Sequence, residues 1–175
     1  VALCNKLDYF YYKNDQPDSI SHYVEIVKDF ARKTNQPKYY YFVWSKRLIY
    51  YYIKQYQYNI ALYEANKMMK EAEQEKYMDG IANAYNVLSS IYQLKRLFNL
   101  AINNKKKEIE ITLQYNLNKF NLSIYYSGLT NLYCELGEAD NALENLNKSA
   151  SCLYSSTQEY YYYVRAAQYY LFIED

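Results

Sequence analysis

Tyr126–Ala150 reads YSGLTNLYCELGEADNALENLNKSA, and its grammar decides the fold. Tyr126, Leu129, Thr130 and Tyr133 fall at the spacing that brings side chains to one face of a helix. Gly137 interrupts the stripe, and Ala142, Leu146 and Ser149 resume it. Two short helices folded back on each other satisfy both stripes. Helices packed about 8–10 Å apart need small side chains where their backbones cross. Thr130 facing Ala142 and Ser149 supplies those, while Tyr126, Tyr133 and Leu146 fill the grooves alongside.

The pattern recurs. Tyr12, Tyr52, Tyr92 and Tyr133 are spaced by 40, 40 and 41 residues, and nine positions after each comes Ser21, Ala61, Ala101 or Ala142. Leu48, Leu88 and Leu129 stand four places before the last three tyrosines. Asp8 takes that place in the first unit, a departure that a terminal repeat tolerates. The expected units are 1–36, 37–76, 77–116 and 117–155, each a helix pair, followed by a lone helix over 156–175. The predicted pairs cover about 1–13 with 19–33, 38–54 with 57–74, 81–94 with 97–115, and 119–136 with 138–153. Ser156-Thr157-Gln158-Glu159 has the form of a capping box opening the last helix. There Tyr163, Ala166, Ala167 and Tyr170 align on Tyr126, Leu129, Thr130 and Tyr133.

The third unit departs from the pattern. Lys105 and Glu108 are polar where apolar or small residues are expected, so its second helix is expected to bury Ile102, Ile109 and Leu113 instead, or to be distorted. The run Lys105-Lys106-Lys107, followed by Glu108 and Glu110, reads as an exposed face with local ion pairs.

Composition agrees with an all-α chain. Three Gly and 2 Pro are too few turn formers for a β-sandwich. The 27 Tyr suit the many half-buried positions of a thin layer of helix pairs, because each offers an apolar ring with a polar tip. A formal net charge of +1 carries no electrostatic footprint for nucleic acid or an anionic membrane. The runs Tyr39–Trp44 and Leu48–Ile53 fall far short of the roughly 18 apolar residues of a spanning helix. Cys4, Cys134 and Cys152 have no metal-ligand spacing and read as free, packed thiols. In the hairpin, Cys134 and Cys152 are separated by most of a helix length, too far for a disulfide. The tyrosine runs 39–41, 50–52 and 160–163 point around their helices and read as packing. His22 stands alone, and no nucleophile, phosphate loop or metal set is legible, so neither enzyme activity nor a cofactor is expected.

The order aromatic, Leu, small, Tyr, Ala, Leu, small, carried by Tyr126, Leu129, Thr130, Tyr133, Ala142, Leu146 and Ser149, resembles the tetratricopeptide repeat. The resemblance covers nearly the whole chain, with a period longer than the family's usual one. It implies an α-α superhelix of about 4.5 repeats of ~40 residues. It also implies that the first helix of each pair lines a concave groove, whose candidate ligand contacts are Lys46, Tyr50, Asn83, Asn86, Ser90, Gln93, Ser127 and Asn131. Lys46 and the amides suit a peptide backbone or terminal carboxylate. The Tyr-rich units, of the form Ala84-Tyr85-Asn86-Val87-Leu88-Ser89-Ser90-Ile91-Tyr92, look like the sensor regions of Bacteroides-type histidine kinases or transcriptional regulators. That resemblance implies a non-catalytic, extracytoplasmic sensing domain of a membrane-anchored two-component protein, with a protein or peptide in the groove and a possible homodimer. The alternative is a cytoplasmic peptide-binding receptor or scaffold of the same fold. The start at Val1 and the unfinished fifth unit lead us to expect a piece of a longer protein.

Overall fold

The computed structural model of the protein describes residues 17–174, with side chains from residue 22 onward. The expected helix over 1–13, with Tyr12 and Cys4, lies outside them, as does the side chain of Ser21. All regular structure among the described residues is helical. In chain order the helices are α1 (Pro17–Lys33), α2 (Pro37–Val43), a π-helical stretch (Trp44–Ile49) leading into α3 (Tyr50–Lys54), and α4 (Tyr58–Gln74). There follow α5 (Met78–Leu94), α6 (Phe98–Gln114), a 3-10 turn (Lys119–Asn121), α7 (Leu122–Leu136), α8 (Ala139–Ala150) and α9 (Ser156–Glu174).

One device closes six of these helices. Asn35, Tyr56, Lys76, Arg96, Asn116 and Gly137 all have φ between 50° and 84°, and they recur at spacings of 21, 20, 20, 20 and 21 residues. At each, the left-handed residue donates its N–H to the carbonyl three residues back. The next residue donates to the carbonyl five back, as Gln57 does to Tyr52 and Leu97 to Tyr92, both at 2.9 Å. These paired bonds satisfy carbonyls that a helix end leaves unmade and reverse the chain within a few residues. Except after Asn116, where a 3-10 turn intervenes, the residue after the left-handed one then opens the next helix. Gln57, Leu97 and Glu138 accept at 3.0 Å from the amides of Ala61, Ala101 and Ala142, and all three alanines are wholly buried. The small residues expected at helix crossings are therefore placed there by the turn that precedes them.

The chain divides into two compact units, Val1–Ile91 and Tyr92–Asp175. In the first, Trp44 is wholly buried, donates its indole N–H to Glu64 at 2.9 Å and lies 3.8 Å beneath the Lys28 ammonium. Tyr40 meets it edge-on at 5.7 Å. The π-helical stretch shifts the inward face, so that Tyr51 is buried and Tyr52 only half-buried. Gly80 is needed for close approach: a Cβ there would lie 2.9 Å from Tyr77 Cδ1, 3.0 Å from Ala72 Cβ and 3.1 Å from Tyr41 Cδ1.

In the second unit the core gathers Ala101, Ile102, Ile109, Leu129, Leu132, Tyr133, Ala142, Leu146 and Tyr169. Two details of α9 correct the expectation. Its cap is Ser155 with Gln158, one residue ahead of Ser156 with Glu159: Ser155 Oγ accepts from the Gln158 amide at 3.4 Å, and Gln158 Oε1 accepts from the Tyr154 amide at 2.6 Å. Gln158 Nε2 also bonds the Phe120 carbonyl, tying α9 to the 3-10 turn that precedes α7. The inward stripe moves with the cap. Tyr162, Ala166, Tyr169 and Phe172 face the core, whereas Tyr163, Ala167 and Tyr170 are exposed.

Two substitutions test this packing by chemical denaturation. Gly→Ala inside a helix ordinarily gains about 1 kcal/mol, but Gly80→Ala is expected to lose about 1–3 kcal/mol because the added methyl overpacks the Tyr41–Tyr77 contact. Arg96→Gly is expected to gain about 1 kcal/mol by relieving a left-handed residue that carries a Cβ.

Candidate functional site

Five of the residues expected to face a ligand lie in the first unit, and four of them are linked. Lys46 sits in the π-helical stretch, a feature that often marks functional sites, and Tyr50 directly follows it. The Lys46 ammonium is 5.1 Å from the centre of the Tyr50 ring. The Tyr50 hydroxyl lies 3.4 Å from Ser90 Oγ, and Ser90 in turn donates to the backbone carbonyl of Asn86, one turn back, at 3.1 Å. Asn83, Asn86 and Ser90 stand at i, i+3 and i+7 of α5, one helical face. All five side chains are half-buried. The set thus combines a cation, a phenol, a hydroxyl and two amides with no carboxylate, which suits the carbonyls, amides and carboxylates of a peptide.

The three expected residues of the second unit behave differently. Gln93 is half-buried near the end of α5. Asn131 Oδ1 accepts from Arg165 Nη1 of α9 at 3.1 Å, so its carbonyl is already engaged. Ser127 corrects the expectation of a groove contact, since it is only 2% exposed and its Oγ lies 2.8 Å from Ser149 Oγ. Ser149 also lies 3.0 Å from Ser123 Oγ and donates to the Ser123 carbonyl at 2.9 Å. Three buried hydroxyls satisfying one another let α7 and α8 approach closely, a packing role.

Arg165 was not singled out in the sequence. It also bonds Gln168, and loss of water pulls its pKa below the usual guanidinium range. The available signal was a single arginine within the aromatic run that separates Glu159 from Glu174.

Lys105 and Glu108 overturn their expected exposure. They are 8% and 2% exposed and pair at 2.6 Å, three residues apart on α6. The Lys105 stem runs beside Gly128, where a Cβ would meet its Cε at 3.6 Å, and its ammonium lies 5.5 Å from the Tyr125 ring. Ile102 and Ile109 are buried as expected, but Leu113 is 45% exposed. The charged pair takes part of the inward stripe, and the helix remains regular.

A hollow of about 360 Å³ in the first unit lies by Arg32, Tyr40, Glu75 and Tyr77. Another, about 400 Å³ in the second unit, has Leu129 and Tyr133 among its apolar lining and Lys106 and Glu144 among its charged lining. Loss of water pushes the Cys134 and Cys152 thiols up, and both are free. His22 is exposed and meets Tyr23 edge-on at 5.5 Å. Among the described residues, no group of three or more His, Cys, Asp and Glu is placed to hold a metal ion, and no helix is long and apolar enough to cross a membrane.

Compared with known proteins, the chain matches no family model and no curated protein.

Breaking a buried pair by removing one partner is costly because the remaining charge is left uncompensated. Glu108→Leu is therefore expected to lose about 3 kcal/mol in urea denaturation. Adding Lys105→Met should return most of that loss. Equal instability of the single and double variants would show that the pair does not act as a unit.

Proposed function

We infer that the chain is a non-catalytic interaction domain built of tetratricopeptide-like helix pairs, which binds a peptide segment of a partner protein. The observation that carries this reading is the linked face Lys46–Tyr50–Ser90–Asn86, with Asn83 on the same side of α5. These polar groups are half-buried on helical backbone, so less conformational freedom is lost when they engage a ligand than from a loop. Lys46 offers a charge-assisted bond to a carboxylate, Tyr50 a ring for apolar contact, and the asparagine amides both donors and acceptors for an extended backbone. The role as an extracytoplasmic sensing region of a bacterial signal-transduction protein rests on the resemblance of the Tyr-rich units. Occupancy of the peptide face would be its input.

Peptides selected from a random display library against the wild-type chain test the reading. Asn83→Ala with Asn86→Ala is expected to weaken the selected peptides at least tenfold, and Lys46→Ala to weaken most those carrying a carboxylate. Selected peptides that bind both variants unchanged would move the site elsewhere.

A further inference from the structure

The hollow of about 400 Å³ in the second unit is walled by α6, α7 and α8, and buried Ile109 and Leu129 make its inner lining apolar. Two more of its lining residues, Tyr133 and Asn145, are only 4% and 6% exposed, yet each carries a polar atom with no hydrogen-bond partner in the chain. Asn145 Nδ2 donates to the Asn141 carbonyl one turn back at 2.8 Å, which fixes Oδ1 as the free end of the amide. The Tyr133 hydroxyl is free, whereas the comparably buried Tyr40 and Tyr41 hydroxyls of the first unit donate to Glu71 and Glu75. Among the described residues no side-chain nitrogen or oxygen sealed from water lacks a partner, so both free atoms are open to water, and the hollow is the opening that the two residues share. A polar group so nearly buried is satisfied only by what enters beside it. The charges at the rim cancel. Lys148 pairs with Glu144 at 2.6 Å, and together with Lys106 it holds that carboxyl below its usual range. The Lys106 ammonium lies 5.5 Å from the centre of the Tyr133 ring. With Glu110, two ammoniums stand against two carboxylates, so the rim draws in neither an anion nor a cation.

We propose that this hollow binds an uncharged amide carried on an apolar body, the amide N–H donating to Asn145 Oδ1 and the amide carbonyl accepting from the Tyr133 hydroxyl. An amide holds a donor and an acceptor side by side without charge. Ile109 and Leu129 receive the apolar body, and a hollow of about 400 Å³ falls among the volumes of small-ligand sites. The site shares no residue with the Lys46 face and stands or falls independently of it.

Amide chemical-shift titration of the whole chain with benzamide, benzoate and benzylammonium, which share a ring and differ in head group, tests the proposal. Saturable shifts at Ile109, Leu129, Tyr133 and Asn145 are expected with benzamide, and the two ions should bind at least tenfold more weakly. Tyr133→Phe removes the hydroxyl alone. It should weaken benzamide several-fold and leave the urea midpoint unchanged, because that hydroxyl has no partner in the chain. Asn145→Ser, which keeps a donor for the Asn141 carbonyl, should weaken benzamide as well. N-acetyl-phenylalanine amide as a fourth probe locates the source: tighter binding than benzamide assigns the amide to a partner's peptide, and weaker binding assigns it to a free small molecule. Absence of saturable shifts, a preference for either ion, or wild-type affinity in both variants would each overturn the assignment.

Discussion

A backbone hydrogen bond spanning five residues, made once at the end of each of six helices, is the constraint on which the rest of this chain depends. It requires one residue in the left-handed region, and the chain supplies asparagine, tyrosine, lysine, arginine, asparagine and glycine in turn. A left-handed residue with a Cβ costs roughly 1–2 kcal/mol. That cost is accepted five times because the turn fixes where the next helix begins. The amide of the fourth residue after the turn's last member is then the first to bond back, and an alanine sits there in Ala61, Ala101 and Ala142. Turn geometry and core composition are thus one device read at two scales.

The same device explains how α6 tolerates charge in its inward stripe. Counting from the residue that opens each helix, Lys105 and Glu108 occupy the places of Ala65 and Met68 in α4, and of Leu146 and Ser149 in α8. With the helix ends fixed, these side chains point inward whatever they are. The chain meets the requirement with a mutual ion pair. A buried pair of this kind contributes little net stability, since desolvation offsets its attraction. In α8 the corresponding solution is hydroxyl: Ser149 bonds Ser123 and Ser127.

Much of the architecture was legible. The helix limits read from periodicity fall close to those of α1 to α9, because the hydrophobic stripes are long and the turn spacing is nearly constant. The turns themselves were not. Gly137, Asn35 and Asn116 are of the residue types that readily take the left-handed conformation, whereas Tyr56, Lys76 and Arg96 carry no local signal for one. The one-residue error in α9 has the same root. Adjacent tyrosines offer two equally aromatic registers, and it is Gln158 bonding the Phe120 carbonyl that distinguishes them. Within the candidate site, Lys46, Tyr50, Asn86 and Ser90 come from the groove positions that the repeat resemblance implies, and the structure sets them beside one another. Ser127 was misplaced because a serine's exposure depends on whether a hydroxyl faces it, here that of Ser149, which no single-helix pattern encodes.

Hydrogen exchange at the amides of Gln36, Gln57, Tyr77, Leu97, Leu117 and Glu138 tests the central claim most directly. Each of these amides stands outside regular helix, yet each donates to the carbonyl five residues back. The account predicts protection at all six comparable to the interior amides of the adjoining helices. Exchange at the rate of open loop amides would contradict it and remove the turn as the organising element of the fold.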